Sequence, residues 1–230
     1  MTFTKSMRPM TYNKVSVLIP TRGRVERLRK LLHSYDLTTH GALSELVFRV
    51  DEDDLPSQHF LSDQHVVTGP RYEGYVSMST FFNELAAAAT GDVLMCGNDD
   101  MVFRTPGWPE AILVAANEYP DGLFDFGVTT HNQEHYPFSI VSRKAVTQMG
   151  YLWNPNIFWG DIFLRDVMAT FGRCIMLPTV QIDHDWAGNN PDAVFLEGNE
   201  HRIMPRGDWY WGDIHRPAVI QAVEKLEGLL

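Results

Sequence analysis

The chain has 230 residues, 44% of them hydrophobic and 21% charged, which is enough for one substantial core, either one large α/β domain or a domain with a short extension. Its net charge of −10 argues against a general binder of phosphate backbones. No apolar run reaches the ~18 residues that span a bilayer, and the opening MTFTKSMRPMTYNK lacks the apolar segment of a signal peptide, so the expected address is cytoplasmic, with no integral membrane segment.

After a polar arm of a dozen residues, Val15 to Ile19 reads as a fully buried strand stopped by Pro20. Thr21, Arg22, Gly23 and Arg24 lead into a helix from Val25 to about Tyr35, with Leu28, Leu31 and Leu32 on one face. The arginines thus stand at the carboxyl end of a strand and the amino end of a helix, where open α/β sheets place ligands and where phosphate is favoured. A solvated basic turn would look the same. A second strand, Leu46 to Val50, ends in the acids Asp51, Glu52, Asp53 and Asp54. Opposite charges at neighbouring strand ends suggest a nucleotide site, with arginine for phosphate and aspartate for base or ribose.

Val66 and Val67 mark a short third strand, and Ser79 to Ala89 a helix with a Ser or Thr cap, closed by Thr90 and Gly91. Next comes the most informative stretch, GDVLMCGNDDMVFRTPGW, from Gly91 to Trp108. An apolar run, Val93 to Cys96, is stopped by Gly97 and followed by Asn98, Asp99 and Asp100. Adjacent carboxylates at a strand end repel each other unless a cation sits near them. A hard divalent ion with phosphate oxygens is the usual occupant, although Asn and Asp also form simple turns.

Helices are expected at Pro109 to Tyr119, Lys144 to Met149 and Ile162 to Phe171, strands at Leu123 to Val128, Phe138 to Val141 and Ile175 to Ile182. Asp161 falls at the start of the third helix, where it could be an ordinary cap. Asp183, His184 and Asp185 close the last strand, and Pro217 to Leu229 forms a final amphipathic helix. The alternation of elements predicts a mostly parallel sheet flanked by helices. Cys96 and Cys174 lie in strand-like runs with no zinc spacing and read as reduced core residues. His131 and His135 read as members of a polar loop. Trp153, Trp159, Trp186, Trp209, Tyr210 and Trp211 gather in the second half, where core packing explains most of them and aromatic faces also suit sugar rings.

Taken together and in this order, VSVLIPTRGR, LVFRVDEDD, GDVLMCGNDDMVFRTPGW, WGDIFLRDVM and QIDHDW resemble the GT-A fold nucleotide-diphospho-sugar glycosyltransferases, family-2-like members in particular. The resemblance runs from about Val15 to Trp186. It implies a Rossmann-like fold with a nucleotide-sugar half over about 15–120 and an irregular acceptor half over about 121–230, in a single glycosyltransferase domain. Pro20, Thr21 and Arg22, with Arg24, match the loop that holds the nucleotide; Asp51, with Asp53, matches the acid that contacts the base. Asn98, Asp99 and Asp100 match the metal-binding DxD motif, Asn98 departing from its first Asp. Asp100 would ligate the ion and His184 would complete the site. Asp161 matches the catalytic base of inverting members, Gly160 replacing the first acid of the usual Glu-Asp pair.

The chemistry implied is transfer of a sugar from a nucleotide-diphosphate donor, UDP-sugar by default, to an acceptor hydroxyl on a saccharide, small molecule, protein or modified nucleobase. A carboxylate and an imidazole suit Mn²⁺ better than Mg²⁺, which prefers an all-oxygen shell. The competing readings are a nucleotidyltransferase of related architecture, a metal-dependent phosphoesterase, and a GT-A-like domain that only binds nucleotide or glycan.

Overall fold

The computed structural model describes residues 12–39, 41–72, 77–131, 138–184, 208 and 210–230. The amino-terminal arm, His135, Asp185, Trp186 and Trp209 lie outside the described residues. The architecture is α/β: an eight-stranded mixed, mostly parallel sheet with helices on both faces, in strand order β3-β2-β1-β4-β7-β6-β8-β5.

The first half is a parallel unit. Strand β1 (Val15–Thr21) pairs in parallel with β2 (Ser44–Asp51) on one side and β4 (Val93–Cys96) on the other. β3 (His65–Gly69) extends the sheet beyond β2. The crossovers are α1 (Val25–Thr38), α2 (Leu55–Phe60) and α3 (Ser77–Ala88). Side chains alternate along β1: Val15, Val17 and Ile19 join one apolar cluster with Leu28 and Leu31 of α1, while Leu18 joins another with Phe82 and Leu85 of α3. Both faces of the strand are therefore buried, which is why it reads as an unbroken apolar run.

The second half changes direction. After β5 (Met101–Phe103) and α4 (Trp108–Ala116) come β6 (Asp125–Thr129), β7 (Ile140–Ser142), α5 (Arg143–Met149), α6 (Gly160–Thr170) and β8 (Cys174–His184). β7 is antiparallel to both β4 and β6, and β5 pairs antiparallel with the end of β8. Pro178 lies where β8 shifts register: Leu177 pairs with Val128 but Gln181 with Thr129. The strand absorbs the missing proline N–H as an irregularity. A π-helical turn, Tyr210–His215, leads into α7 (Arg216–Leu226), which packs on α5 and α6. No helix among the described residues is long and apolar enough to cross a membrane.

Because β1 is flanked by β2 on one side and β4 on the other, the connections leave it in opposite directions. The carboxyl ends of β1 and β4 thus border a crevice of the kind where open α/β sheets bind ligands.

Candidate functional site

Three charged segments converge on that crevice. From the end of β1, the Thr21 hydroxyl donates to Asp99 Oδ2 at 2.9 Å and Arg24 Nη1 to Asp99 Oδ1 at 3.0 Å. From the first turn of α1, Arg27 Nη1 donates to Asp100 Oδ2 at 3.1 Å. Arg22 Nη1 reaches Asp51 Oδ2 at 3.0 Å and Asp53 Oδ1 at 2.6 Å, and the Gly23 amide donates to Asp54 Oδ2 at 2.7 Å. Each arginine of the β1–α1 segment is thereby matched to an acid from β2 or from the loop after β4.

The loop itself is held by close packing. A Cβ on Gly97 would lie 2.7 Å from Met101 Sδ and 3.2 Å from the Leu18 carbonyl, and the Gly97 amide donates to that carbonyl at 2.8 Å. Glycine lets the loop turn against β1 and deliver two carboxylates inward: Asp99 is 3% exposed and Asp100 8%. Burial raises the Asp99 carboxyl above its usual range; the Arg24 charge opposes this and the neighbouring Asp100 charge adds to it. Both Asp99 oxygens already have partners. Asp100 differs, since its Oδ1 is buried and makes no hydrogen bond.

His184, at the end of β8, supplies what faces that oxygen. The pairing of Met101 with His184 brings β8 beside the acidic loop, and His184 Nε2 lies 3.1 Å from Asp100 Oδ1 and 3.4 Å from the Asn98 amide nitrogen. Its ring meets Phe138 edge-on at 5.7 Å. The sequence-matched Asn98, Asp100 and His184 are therefore brought together. Two ligands side by side on an octahedral ion with bonds of about 2.1 Å are ~3.0 Å apart, so the Asp100–His184 spacing fits a divalent cation. Among the described residues no three His, Cys, Asp or Glu side chains converge as a closed metal cage. An ion held here would take its remaining ligands from water and a bound anion.

The neighbouring Asp183 is tied down differently. Its burial favours the protonated form, but hydrogen bonds from Gln181 and Arg104 and from the His131 amide hold its carboxyl below the usual range. His131 itself is exposed and lies beside Asp183.

Asp161 belongs to the other half of the chain. Among the described residues it makes no hydrogen bond or ion pair with the acidic loop, and its charge acts instead on Cys96 and Asp125. The sequence placed it at the helix cap; in the structure Trp159 caps α6 and Asp161 lies in the first turn, where the helix dipole favours an anion. Gly160 is required by packing rather than by backbone angle. A Cβ there would fall 2.0 Å from the Trp153 ring, which itself packs on Phe82 at 4.3 Å. Trp153 thus occupies the space that any side chain at position 160 would need. The Asp161 charge reaches Asp125, a buried carboxyl on β6 that accepts from the Ile140 amide at 3.1 Å. Burial, with Asp161 adding to it, pushes Asp125 up to about 7.

Of the aromatic residues, Tyr210 is buried, its hydroxyl accepting from the Phe158 amide at 2.9 Å in the loop before α6. Trp211 is exposed. Cys96 is buried and Cys174 half-buried, both as free thiols.

Two contributors were not singled out from the sequence. Arg27 lies three residues after Arg24, on the same helix face, and that spacing was a readable signal. Arg49, in the middle of β2, is 1% exposed. Its guanidinium donates to Glu84, the Val50 and Pro70 carbonyls and Asp51, and lies 4.6 Å over Phe81. It braces Asp51 from behind, and a charge inside the apolar run LVFRV was its only trace in the sequence.

No protein-family model matches this chain, and no curated protein matches. Among solved structures it is similar to mannosyltransferase PcManGT from Pyrobaculum calidifontis, determined in complex with GDP-Man and Mn²⁺, with a TM-score of 0.61 at 14% identity over 95% of this chain and 74% of that one. At that identity the likeness establishes the fold. The chain shares the α/β fold of that mannosyltransferase.

Proposed function

We propose that the protein is a divalent-cation-dependent glycosyltransferase that moves a sugar from a nucleoside-diphosphate donor to an acceptor hydroxyl, with inversion at the transferred carbon. The observation that carries this reading is the buried, unbonded Asp100 Oδ1 facing His184 Nε2 at 3.1 Å, beside arginines at the β1–α1 crevice. The structural neighbour, which binds GDP-Man and Mn²⁺, supports it.

In this reading Asp51 and Asp53, with Arg22, receive the base and ribose, and Thr21, Arg22 and Arg24 border the diphosphate. Asn98 and Asp99 shape the floor beneath the donor. Asp100 and His184 hold the cation, Mn²⁺ in preference to Mg²⁺ because one ligand is an imidazole. When bound, that cation supplies charge stabilisation for the departing diphosphate. Arginine side chains share that task, as their fixed charge costs no proton transfer. Asp161, in the first turn of α6, accepts the proton of the attacking hydroxyl.

The test is turnover of a panel of GDP-, UDP-, CDP- and dTDP-sugars with Mn²⁺, scored by nucleoside diphosphate released to water or to mixed acceptors. One donor should be consumed in a Mn²⁺-dependent manner. Asp161→Asn should lower the rate by about 10²-fold or more while donor affinity is retained. An Asp161→Asn variant with full turnover would remove its role as base, and a panel with no turnover and no binding would overturn the reading.

A further inference from the structure

The arginines of the β1–α1 segment occupy positions that helix electrostatics disfavours. Arg24 is the N-cap of α1, with no side-chain cap hydrogen bond, and Arg27 lies in the first turn, where the helix dipole repels cations. Local rules broken in this way concentrate at functional sites. What compensates here is the acidic loop: Arg24 pairs with Asp99, and Arg27 pairs with Asp100 at 3.1 Å, through the oxygen opposite the one that faces His184.

We propose that Arg27 is an exchangeable counter-cation: it neutralises Asp100 in the ligand-free protein, yields it to a divalent cation, and then pairs with the donor's diphosphate. This rests on the donor-site reading above. Three observations lead to it. The Asp100 carboxylate is nearly buried, so it needs a positive neighbour at all times. The Arg27 side chain is 23% exposed against 7% for Asp100, so of the two partners it is the one that solvent and a dissolved anion can reach. Finally, an arginine and a diphosphate together at the α1 amino terminus relieve the conflict that the arginine alone creates there.

The consequence is a coupling between ligands. In free protein a divalent ion must compete with Arg27 for Asp100, so it binds weakly. A nucleoside diphosphate that offers Arg27 a new partner removes the competition, and by linkage each ligand strengthens the other by the same factor. Arg24, whose partner Asp99 is 3% exposed and also bonded to Thr21, stays in place and keeps the loop neutral during the exchange.

The experiment is Mn²⁺ binding followed by electron paramagnetic resonance of the free ion, with no nucleotide and with GDP or UDP. It is repeated for Arg27→Gln and Arg27→Lys. For Arg27→Gln, Mn²⁺ alone should bind at least about fivefold tighter, because the pair that is removed is more buried than a surface ion pair of that worth. The nucleotide at saturating Mn²⁺ should bind at least tenfold more weakly, so the coupling factor shrinks from both ends. Arg27→Lys should restore part of each change. A packing defect would weaken both ligands together, and that outcome, or unchanged Mn²⁺ affinity and coupling, would overturn the proposal while leaving the donor site standing. Wild-type protein that binds neither Mn²⁺ nor nucleotide would overturn both.

Discussion

Asp125 offers a prediction that depends on no ligand. The carboxyl is 1% exposed beneath α6, with burial raising it to about 7 from 3.8. Because the folded state holds the proton more tightly than the unfolded chain, stability is constant below the unfolded value, falls as pH rises between the two values, and is constant again above about 7. Integrating a single group over pH 5 to 8 gives a loss of about 3 kcal/mol. Asp125→Asn keeps a carbonyl oxygen to accept from the Ile140 amide and an NH₂ that the Ser139 hydroxyl can accept, but carries no charge at any pH. The difference in stability between the variant and the wild type should therefore grow by about 3 kcal/mol from pH 5 to 8. For a chain of this size that is ~6–12 °C in thermal midpoint. Urea titrations of both proteins at half-unit pH intervals measure it directly, with titrating groups that do not interact with Asp125 cancelling in the difference. A difference that stays flat across this range would refute the claim that burial raises the Asp125 carboxyl to about 7.

Gly160→Ala places a methyl 2.0 Å from the Trp153 ring and should cost about 1–3 kcal/mol in chemical denaturation, together with a fall in turnover because the displaced residue adjoins Asp161. Full stability and activity would show that Trp153 yields freely. Arg49→Met removes one partner from a buried charge network and should cost ~3–5 kcal/mol, read as a lower urea midpoint, with weaker nucleotide binding because Asp51 loses its brace. A neutral effect on both would show that Arg49 is dispensable.

The parts of this fold that could be read from the sequence are those whose burial is written in runs. β1 and β4 are buried on both faces and show as VSVLI and VLMC. The helices that flank them carry apolar residues at helical spacing. β5 could not be read, because its three residues are a strand only through pairing with β8, some eighty positions later. α2 was hidden in the same way: its N-cap is Asp54, whose side chain accepts from the Ser57 amide, and in the sequence that aspartate is one more acid in DEDD. For the candidate site, the order of motifs put Asp99, Asp100 and His184 at strand ends, since strand ends fall where apolar runs stop. It could not say that Asp99 is fully bonded while Asp100 Oδ1 is not, because that depends on which oxygen meets which arginine across the crevice. Arg27 and Arg49 act through contacts formed only when β2, α1 and the acidic loop are packed.

If Asp100 and His184 hold a divalent cation that completes a nucleoside-diphosphate site, metal and nucleotide stabilise the fold together. The direct measurement is the thermal midpoint of the protein with GDP, UDP, CDP and dTDP, each with and without Mn²⁺, for the wild type and Asp100→Ala. At about a hundred times its dissociation constant a ligand confined to the folded state adds ~2.7 kcal/mol, or ~5–10 °C here. One nucleotide should give such a shift only with Mn²⁺, and Asp100→Ala should abolish it. A nucleotide shift that persists without metal and in Asp100→Ala, or no shift with any nucleotide, would contradict such a site.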